Sequence, residues 1–338
     1  MSTTDGRAVQ FIGPEDVDVV PLQSPEPDPE GVVVETLVSA ISAGTELLVY
    51  HGDVDSETLA DESLPALDGT LSYPVRYGYS AVGRVVATGA EVAPAWHDRT
   101  VFAFNPHESH FRAEPEALHV VPEGVSPEQA ALFANVETAV NFALDASPRL
   151  GERVAVFGQG VVGLLTTALL SELPLETLVA VEPHPFRRQL AARMGADETV
   201  DPTAENAAAA VEELTDGVDV AIEVSGQPQT LESAVEATRY DGRVLVGSWY
   251  GTKREPLSLG DHYHRGRISI ESSQVSTIDP SLRGRWDRTR RRKTAWRRLQ
   301  SLDLGPLITH RVDVAEAGSA YRQLTEHPNE TLQVLLTY

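Results

Sequence analysis

"RVAVFGQGVVGLLTTALLSEL", residues 153–173, decides the fold. "VAVF" is an unbroken apolar run, the pattern of a strand buried on both faces. "GQGVVG" follows at once, with glycines at 158, 160 and 163. After such a strand, Gly158 makes the tight turn, Gly160 lets the backbone approach a pyrophosphate, and Gly163 lets a helix pack on the strand. That helix begins at Val161 and Val162, whose free N–H groups favour phosphate oxygens. A second strand, "TLVAVEP", brings Glu182 19 residues beyond Gly163. An acid there is placed to take both hydroxyls of the adenosine ribose and to repel a 2′-phosphate, so NAD is expected ahead of NADP. Arg187 and Arg188 follow closely enough to serve a phosphate, which keeps NADP open.

Working outward, "PFRRQLAARMGA" reads as a helix opened by Pro185 and closed by Gly195. "GVDVAIEVSG" and "GRVLVGSW" are further buried strands. The alternation predicts a doubly wound parallel sheet, with the cofactor at the strand ends Val224, Ser225, Gly247 and Ser248. Residues 1–140 have a different texture: short β-branched runs such as "GVVVETLVSAIS" and "SAVGRVVATGAEV", broken by Gly and Pro. They predict a compact all-β, barrel-like unit. Within it, "GVVVETLVSAIS" is expected to end in a tight Ala43-Gly44 turn, and the acidic residues 52–72 form an exposed loop. A last β run at the C-terminus is able to rejoin this unit.

The chain has 338 residues and a net charge of −23, and 25 of its 27 basic residues are arginine, Lys253 and Lys293 being the rest. Acidity with so little lysine resembles the proteins of salt-loving archaea, because salt screens self-repulsion. Such a surface argues against nucleic-acid and anionic-membrane binding. No apolar stretch has the length of a signal peptide or a membrane span, so a cytoplasmic protein is expected. With no cysteine, disulfides, thiolate zinc sites and a cysteine nucleophile are excluded.

Against this background, residues 283–298, "RGRWDRTRRRKTAWRR", carry nine basic residues and one acid. Leu282, Trp286, Trp296 and Leu299 fall near one side of a helix. The segment reads as an amphipathic helix whose arginines meet an acidic surface or a partner subunit. Recognition of an anionic substrate is the second reading.

The β-rich beginning, the Gly-rich strand–helix unit and the returning C-terminus resemble the medium-chain dehydrogenase/reductase superfamily over nearly the whole chain. "SAGTE" is similar to that family's Cys-Gly-Thr-Asp turn, with Ala43 at the first zinc-ligand position. "YPVRYGYSAVGRVVATG" is similar to its Gly-His-Glu segment, with Tyr79 and Ser80 in place of histidine and glutamate. "HDRTVFAF" resembles a Gly-Asp-Arg-Val turn. "ANVETAV" resembles the stretch that places Thr138 under the nicotinamide and a third ligand at Ala134. "SAGTE", "GYSxxGRV" and the late "SSQV…RW…RR…LITHR" pattern also resemble bacteriochlorophyllide dehydrogenases. The resemblance implies a GroES-like domain (1–140 and 276–338), a Rossmann domain (141–275), a homodimer, and Ser272 and Ser273 beside the nicotinamide. It also implies an alcohol or carbonyl oxidoreductase acting on a small molecule, here without zinc, since all three ligand positions are substituted. Reduction of an activated C=C bond and a silent dinucleotide-binding redox sensor stay open.

Without a metal, the developing alkoxide needs another donor. Thr45 matches the family's substrate hydroxyl, and Tyr79 stands where a ligand would point at the substrate. The catalytic set is therefore Thr45, Tyr79 and Glu46, with Ser42 and Ser80 as further candidate donors; a neighbouring charge that lowered the Tyr79 pKa would ease proton donation. His107 and His110 read as exposed loop histidines. "HYHRGR", with His262 and His264, has a substrate- or nicotinamide-side role as its second reading.

Overall fold

The computed structural model describes residues 6–61 and 64–338. The chain forms two compact units, Met1–Ala134 with Leu299–Tyr338, and Asn135–Arg298. Both seams differ from the expected 140/141 and 275/276. The helix Phe133–Ala146 runs without a break past residue 140. The segment after 275 is tied into the second unit, because Arg291 is buried there against Glu137.

The second unit is a six-stranded parallel sheet. In spatial order its strands are Glu198–Val200, Thr177–Val181, Arg153–Phe157, Val218–Glu223, Thr238–Val246 and Ser269–Ser272. The chain winds outward from Arg153–Phe157, then returns to lay Val218–Glu223 on its other side. This is the expected doubly wound Rossmann sheet, and its order reverses between those two strands. Apolar side chains on both sheet faces bury two clusters, one around Ala155, Phe157 and Val179, the other around Val154, Val156 and Phe142. The flanking helices start where the sequence supplies a start: Pro185 at the first turn of Pro185–Arg193, and Asn206 accepting from the Ala209 N–H at 2.9 Å.

The first unit is built on a mixed sheet in which Ile308–Asp313, Gln333–Thr337, Val32–Ala40, Ala81–Thr88, Thr100–Ala103 and His119–Val120 lie side by side. His110–Ala113 also pairs with Val32–Ala40, and Gly6–Gly13 forms a hairpin with Asp16–Leu22. The late strand Gln333–Thr337 does join the early one, pairing antiparallel to Val32–Ala40. Two local expectations change. Residues 43–51 are a helix, Ala43–His51, where a tight turn was expected. Ser42 occupies its N-cap, and Gly52 ends it in a left-handed conformation, φ 74°. The 52–72 stretch is only partly exposed, because Ala60, Leu67 and Leu71 are core residues of this unit; residues 62 and 63 lie outside the described residues. These three find the core despite the acidic composition around them, whereas Leu59 stays exposed. Among the described residues no helix is long and apolar enough to cross a membrane.

Candidate active site

In the second unit the Gly-rich turn has the geometry its sequence requires. Gly158 follows the first strand at φ +97°, and a Cβ there would meet the Ser225 backbone at 2.6 Å. A Cβ on Gly163 would strike the Gly158 carbonyl oxygen at 2.0 Å. Gly160 is the opposite case: a Cβ would meet nothing within 4 Å. It caps the ten-residue helix Val161–Leu170, so that helix offers its first N–H groups on an open side. The open cradle, the helix N-terminus and the acid on the next strand fit a dinucleotide pyrophosphate and ribose.

Glu182 is buried. Its Oε2 accepts from the Gln159 N–H at 2.7 Å and its Oε1 from the His184 N–H at 3.0 Å. The acid is thereby locked onto the Gly-rich turn. Arg188 is committed elsewhere, donating to the carbonyls of Glu182 and Pro183 and pairing with Asp201 at 2.8 Å. Arg187 is half-buried; burial lowers its pKa, opposed by the charge of Glu182.

The other expected cofactor residues stand at strand ends of the same sheet. Val224 and Ser225 follow the strand Val218–Glu223, and Ser225 donates its N–H and Oγ to the buried Glu223 carboxylate at 2.8 and 2.5 Å. Ser248 accepts from the Gly226 N–H at 2.9 Å. Gly247 packs on the Phe142 ring, which a Cβ would meet at 2.3 Å. Ser272 ends its strand exposed, whereas Ser273 is bound to Asp145 at 2.5 Å. Thr138 is the one half-exposed residue in the run 130–142. "HYHRGR" does not join these strand ends. His262 bonds the carbonyl of Thr238, the first residue of its strand, which lies at the opposite edge of the sheet from the cofactor residues.

In the first unit, three hydroxyls meet. The Tyr79 phenol hydrogen-bonds Ser42 Oγ and lies 3.1 Å from Thr45 Oγ1. The helix Ala43–His51 sets this up by placing Thr45 one turn from the Ser42 cap. Burial pushes the Tyr79 pKa up, outweighing the two hydroxyl contacts that lower it, and Glu46 and Asp61 push it further up. No neighbouring charge lowers it, and the phenol keeps its proton at neutral pH.

Glu46 does not share that position. It is completely buried, with Oε1 accepting from the Ser42 N–H at 2.7 Å and Oε2 from Tyr321 OH at 2.6 Å. Oε2 also lies 2.9 Å from His107 Nε2. His107, expected on an exposed loop, is fully buried, and His110 is half-buried. The sequence reading missed His107 because its partner lies 61 residues away.

The residues that the motif resemblance sets at three zinc-ligand positions, Ala43, Tyr79 and Ala134, supply two methyl groups and a phenol. Among the described residues no group of three His, Cys, Asp or Glu is arranged to hold a metal. This donor set does not fit zinc.

The basic segment forms the helix Arg288–Ser301. Its buried side is Arg291, Ala295 and Leu299, and Arg291 is bonded to Glu137 Oε1 at 2.8 Å, Asn141 Oδ1 at 2.7 Å and the Thr277 carbonyl at 2.9 Å. Arg298 pairs with Glu172, and Arg290 stacks over Trp286 at 4.2 Å.

Residues 161–290 match the family model of zinc-binding dehydrogenases. D-guloside 3-dehydrogenase of Escherichia coli (strain K12) is 26% identical over 269 residues, 77% of each chain. The chain is an oxidoreductase similar to the dehydrogenases of these matches. The fold of this oxidoreductase is shared with 2R,3R-butanediol dehydrogenase from Bacillus subtilis, at a TM-score of 0.81 and 21% identity over 99% of this chain and 100% of the other. It is shared also with a short chain alcohol dehydrogenase from Escherichia coli CFT073 complexed with NADH, at a TM-score of 0.79 and 16% identity over 98% and 99%. Both units of the oxidoreductase, GroES-like and Rossmann, fall within these matches.

Proposed function

We propose that this oxidoreductase transfers hydride between NAD(H) and a secondary alcohol or its ketone without zinc, with Tyr79 supplying the proton. The observation that carries the reading is the Tyr79 phenol, held by Ser42 and Thr45 at the position where the motif resemblance implies a metal ligand. The guloside and butanediol relatives are named for hydroxylated substrates, which supports the alcohol class.

When bound, the nicotinamide supplies or accepts the hydride. The chain's own residues handle binding and the proton. Gly160 and the first turn of Val161–Leu170 bind the pyrophosphate, and Glu182 takes the ribose hydroxyls and favours NAD. In the reducing direction Tyr79 holds a proton on its phenol oxygen and donates it to the substrate oxygen. Ser42 and Thr45 then donate hydrogen bonds to the phenolate left behind, which lowers its cost. In the oxidising direction the same proton returns to Tyr79. The working form is read as a homodimer in the cytoplasm, taking a small-molecule substrate; light scattering checks the oligomer.

The test is a thermal-shift titration in high salt with NADH and NADPH, then turnover of a panel of secondary alcohols, ketones and enones with EDTA present. A melting shift with NADH and EDTA-resistant alcohol or ketone turnover is expected. Activity that EDTA abolishes and zinc restores would sink the metal-free reading. Turnover of enones alone would move the chemistry to C=C reduction.

A further inference from the structure

We infer that Glu46 and His107 form a buried positioning pair that fixes the Ser42–Thr45–Tyr79 hydroxyls from behind; the inference rests on the proposed role of those hydroxyls. Tyr79 is held chiefly through Ser42 and the first turn of its helix, so whatever fixes Ser42 fixes the phenol. Glu46 does so directly, since its Oε1 takes the Ser42 backbone N–H at 2.7 Å. The same helix carries Thr45, the adjacent residue, so one carboxylate sets both partners of Tyr79.

A carboxylate in a fully buried site holds a fixed orientation only when its remaining lone pairs are satisfied. Oε2 faces Tyr321 OH at 2.6 Å and His107 Nε2 at 2.9 Å. His107 is itself fixed at its other nitrogen, Nδ1, 2.7 Å from Ser39 Oγ, and Ser39 Oγ lies 2.9 Å from Tyr338 OH. One consistent arrangement of protons satisfies every member. Tyr338 donates to Ser39, Ser39 to Nδ1, and Nε2–H to Glu46, which also accepts from Tyr321 and from Ser42. No proton path runs from Tyr79 to Glu46 along these bonds, because the link is the backbone N–H of Ser42. The pair therefore orients, and does not relay.

The backbone makes room for this arrangement. Gly78, the residue before Tyr79, has φ +115°, and a Cβ there would lie 2.5 Å from His107 Nε2. The tyrosine-bearing segment and the histidine ring are thus in direct contact. A volume-matched apolar pair would stabilise the interior about as well as this polar one. Orientation of the Ser42 turn is what the apolar pair would not supply.

The full chain, labelled with 3-fluorotyrosine in high salt, reports on this by fluorine NMR. A Tyr79→Phe sample identifies the Tyr79 resonance. In Glu46→Gln and in His107→Ala that resonance is expected to shift and broaden, while His107→Gln, which keeps a donor toward Glu46, returns it toward the wild-type position. An unmoved Tyr79 resonance in folded Glu46→Gln and His107→Ala overturns the inference, as does a failure of His107→Gln to restore it. Should those variants not fold, Ser39→Ala decides, since it removes only the Nδ1 partner; an unmoved resonance there is equally fatal. The NADH-induced melting shift of wild-type protein is read separately. Its absence removes the proposed function and leaves the fluorine result to judge the pair.

Discussion

Arg291 lies 2.8 Å from Glu137 with both side chains almost wholly excluded from solvent. It comes from the most basic stretch of an acidic chain, yet it points inward and bonds Glu137, Asn141 and the carbonyls of Val275 and Thr277. Removing it takes from the buried Glu137 carboxylate its closest cation and leaves Arg292 at 3.3 Å. Arg291→Met is expected to cost about 3–5 kcal/mol of unfolding free energy, measured by urea unfolding in high salt. The double variant Arg291→Met with Glu137→Leu should recover much of that loss. A cost below about 1 kcal/mol, the range of exposed ion pairs, would mean that the pair does not hold the second unit together.

Gly160 and Gly163 separate dinucleotide binding from folding. A Cβ at Gly160 meets nothing, so Gly160→Ala should melt like the wild type and bind NADH at least about tenfold more weakly, because the methyl occupies the phosphate approach. A Cβ at Gly163 collides with the Gly158 carbonyl, so Gly163→Ala should lower the melting temperature as well. Calorimetric melting and NADH fluorescence titration read both. Undiminished NADH affinity in Gly160→Ala would place the nucleotide elsewhere.

Tyr79→Phe removes the proton donor and little volume. Turnover should fall by about 10²–10³-fold, with NADH affinity unchanged, because the loss is confined to the first unit. Thr45→Ala should fall less, since Ser42 still contacts the phenol. Steady-state kinetics on whichever carbonyl the panel identifies settles the order.

Tyr77, Tyr79, Tyr321 and Tyr338 all have pKa values raised by burial in the first unit. Phenols that hold their protons more tightly when folded add stability that is fully present below about pH 10, the unfolded value. That stability is lost as pH rises beyond it toward the folded values. Absorbance at the phenolate band should therefore show these groups ionising together with alkaline unfolding. Ionisation of all the tyrosines near pH 10 with the fold intact would contradict their burial.

The net charge of −23 predicts a salt-dependent fold. The screening length drops from about 10 Å at 0.1 M salt to about 3 Å at 1 M, so the melting temperature should climb steeply with KCl over that range. A flat response would mean that the surface carboxylates are too dispersed to repel one another.

The Rossmann unit was legible because its signal is local. Gly158, Gly160, Gly163 and Glu182 lie within one βαβ stretch, where Gly158 makes the turn and Gly163 the close packing that their spacing implied, and Gly160 stands open. The hydroxyl trio was legible in part: Thr45 and Tyr79 came from the resemblance and Ser42 and Ser80 were both candidate donors, but only the fold sets Ser42 on the phenol and turns Ser80 to the Ala131 carbonyl. Glu46 looked like a catalytic acid because sequence cannot show that Tyr321 and His107, 275 and 61 residues away, fold over it. Arg291 was hidden for the converse reason. One buried arginine in a run of exposed ones carries no mark in composition, and only the tertiary position of Glu137 selects it.

The placement of Gln333–Thr337 inside the sheet, between Ile308–Asp313 and Val32–Ala40, bears on how the protein is born. During synthesis the strand Val32–Ala40 emerges early, and the Val38–Ala40 end of one edge waits unpaired until Leu335–Thr337 are translated. Residues 135–298, contiguous in the chain, have everything they need first. The ribosome thus delivers a finished nucleotide-binding body attached to an unfinished partner whose exposed edge invites association with other chains. In a cell crowded with nascent protein, that edge stays open to other chains until residue 337 appears.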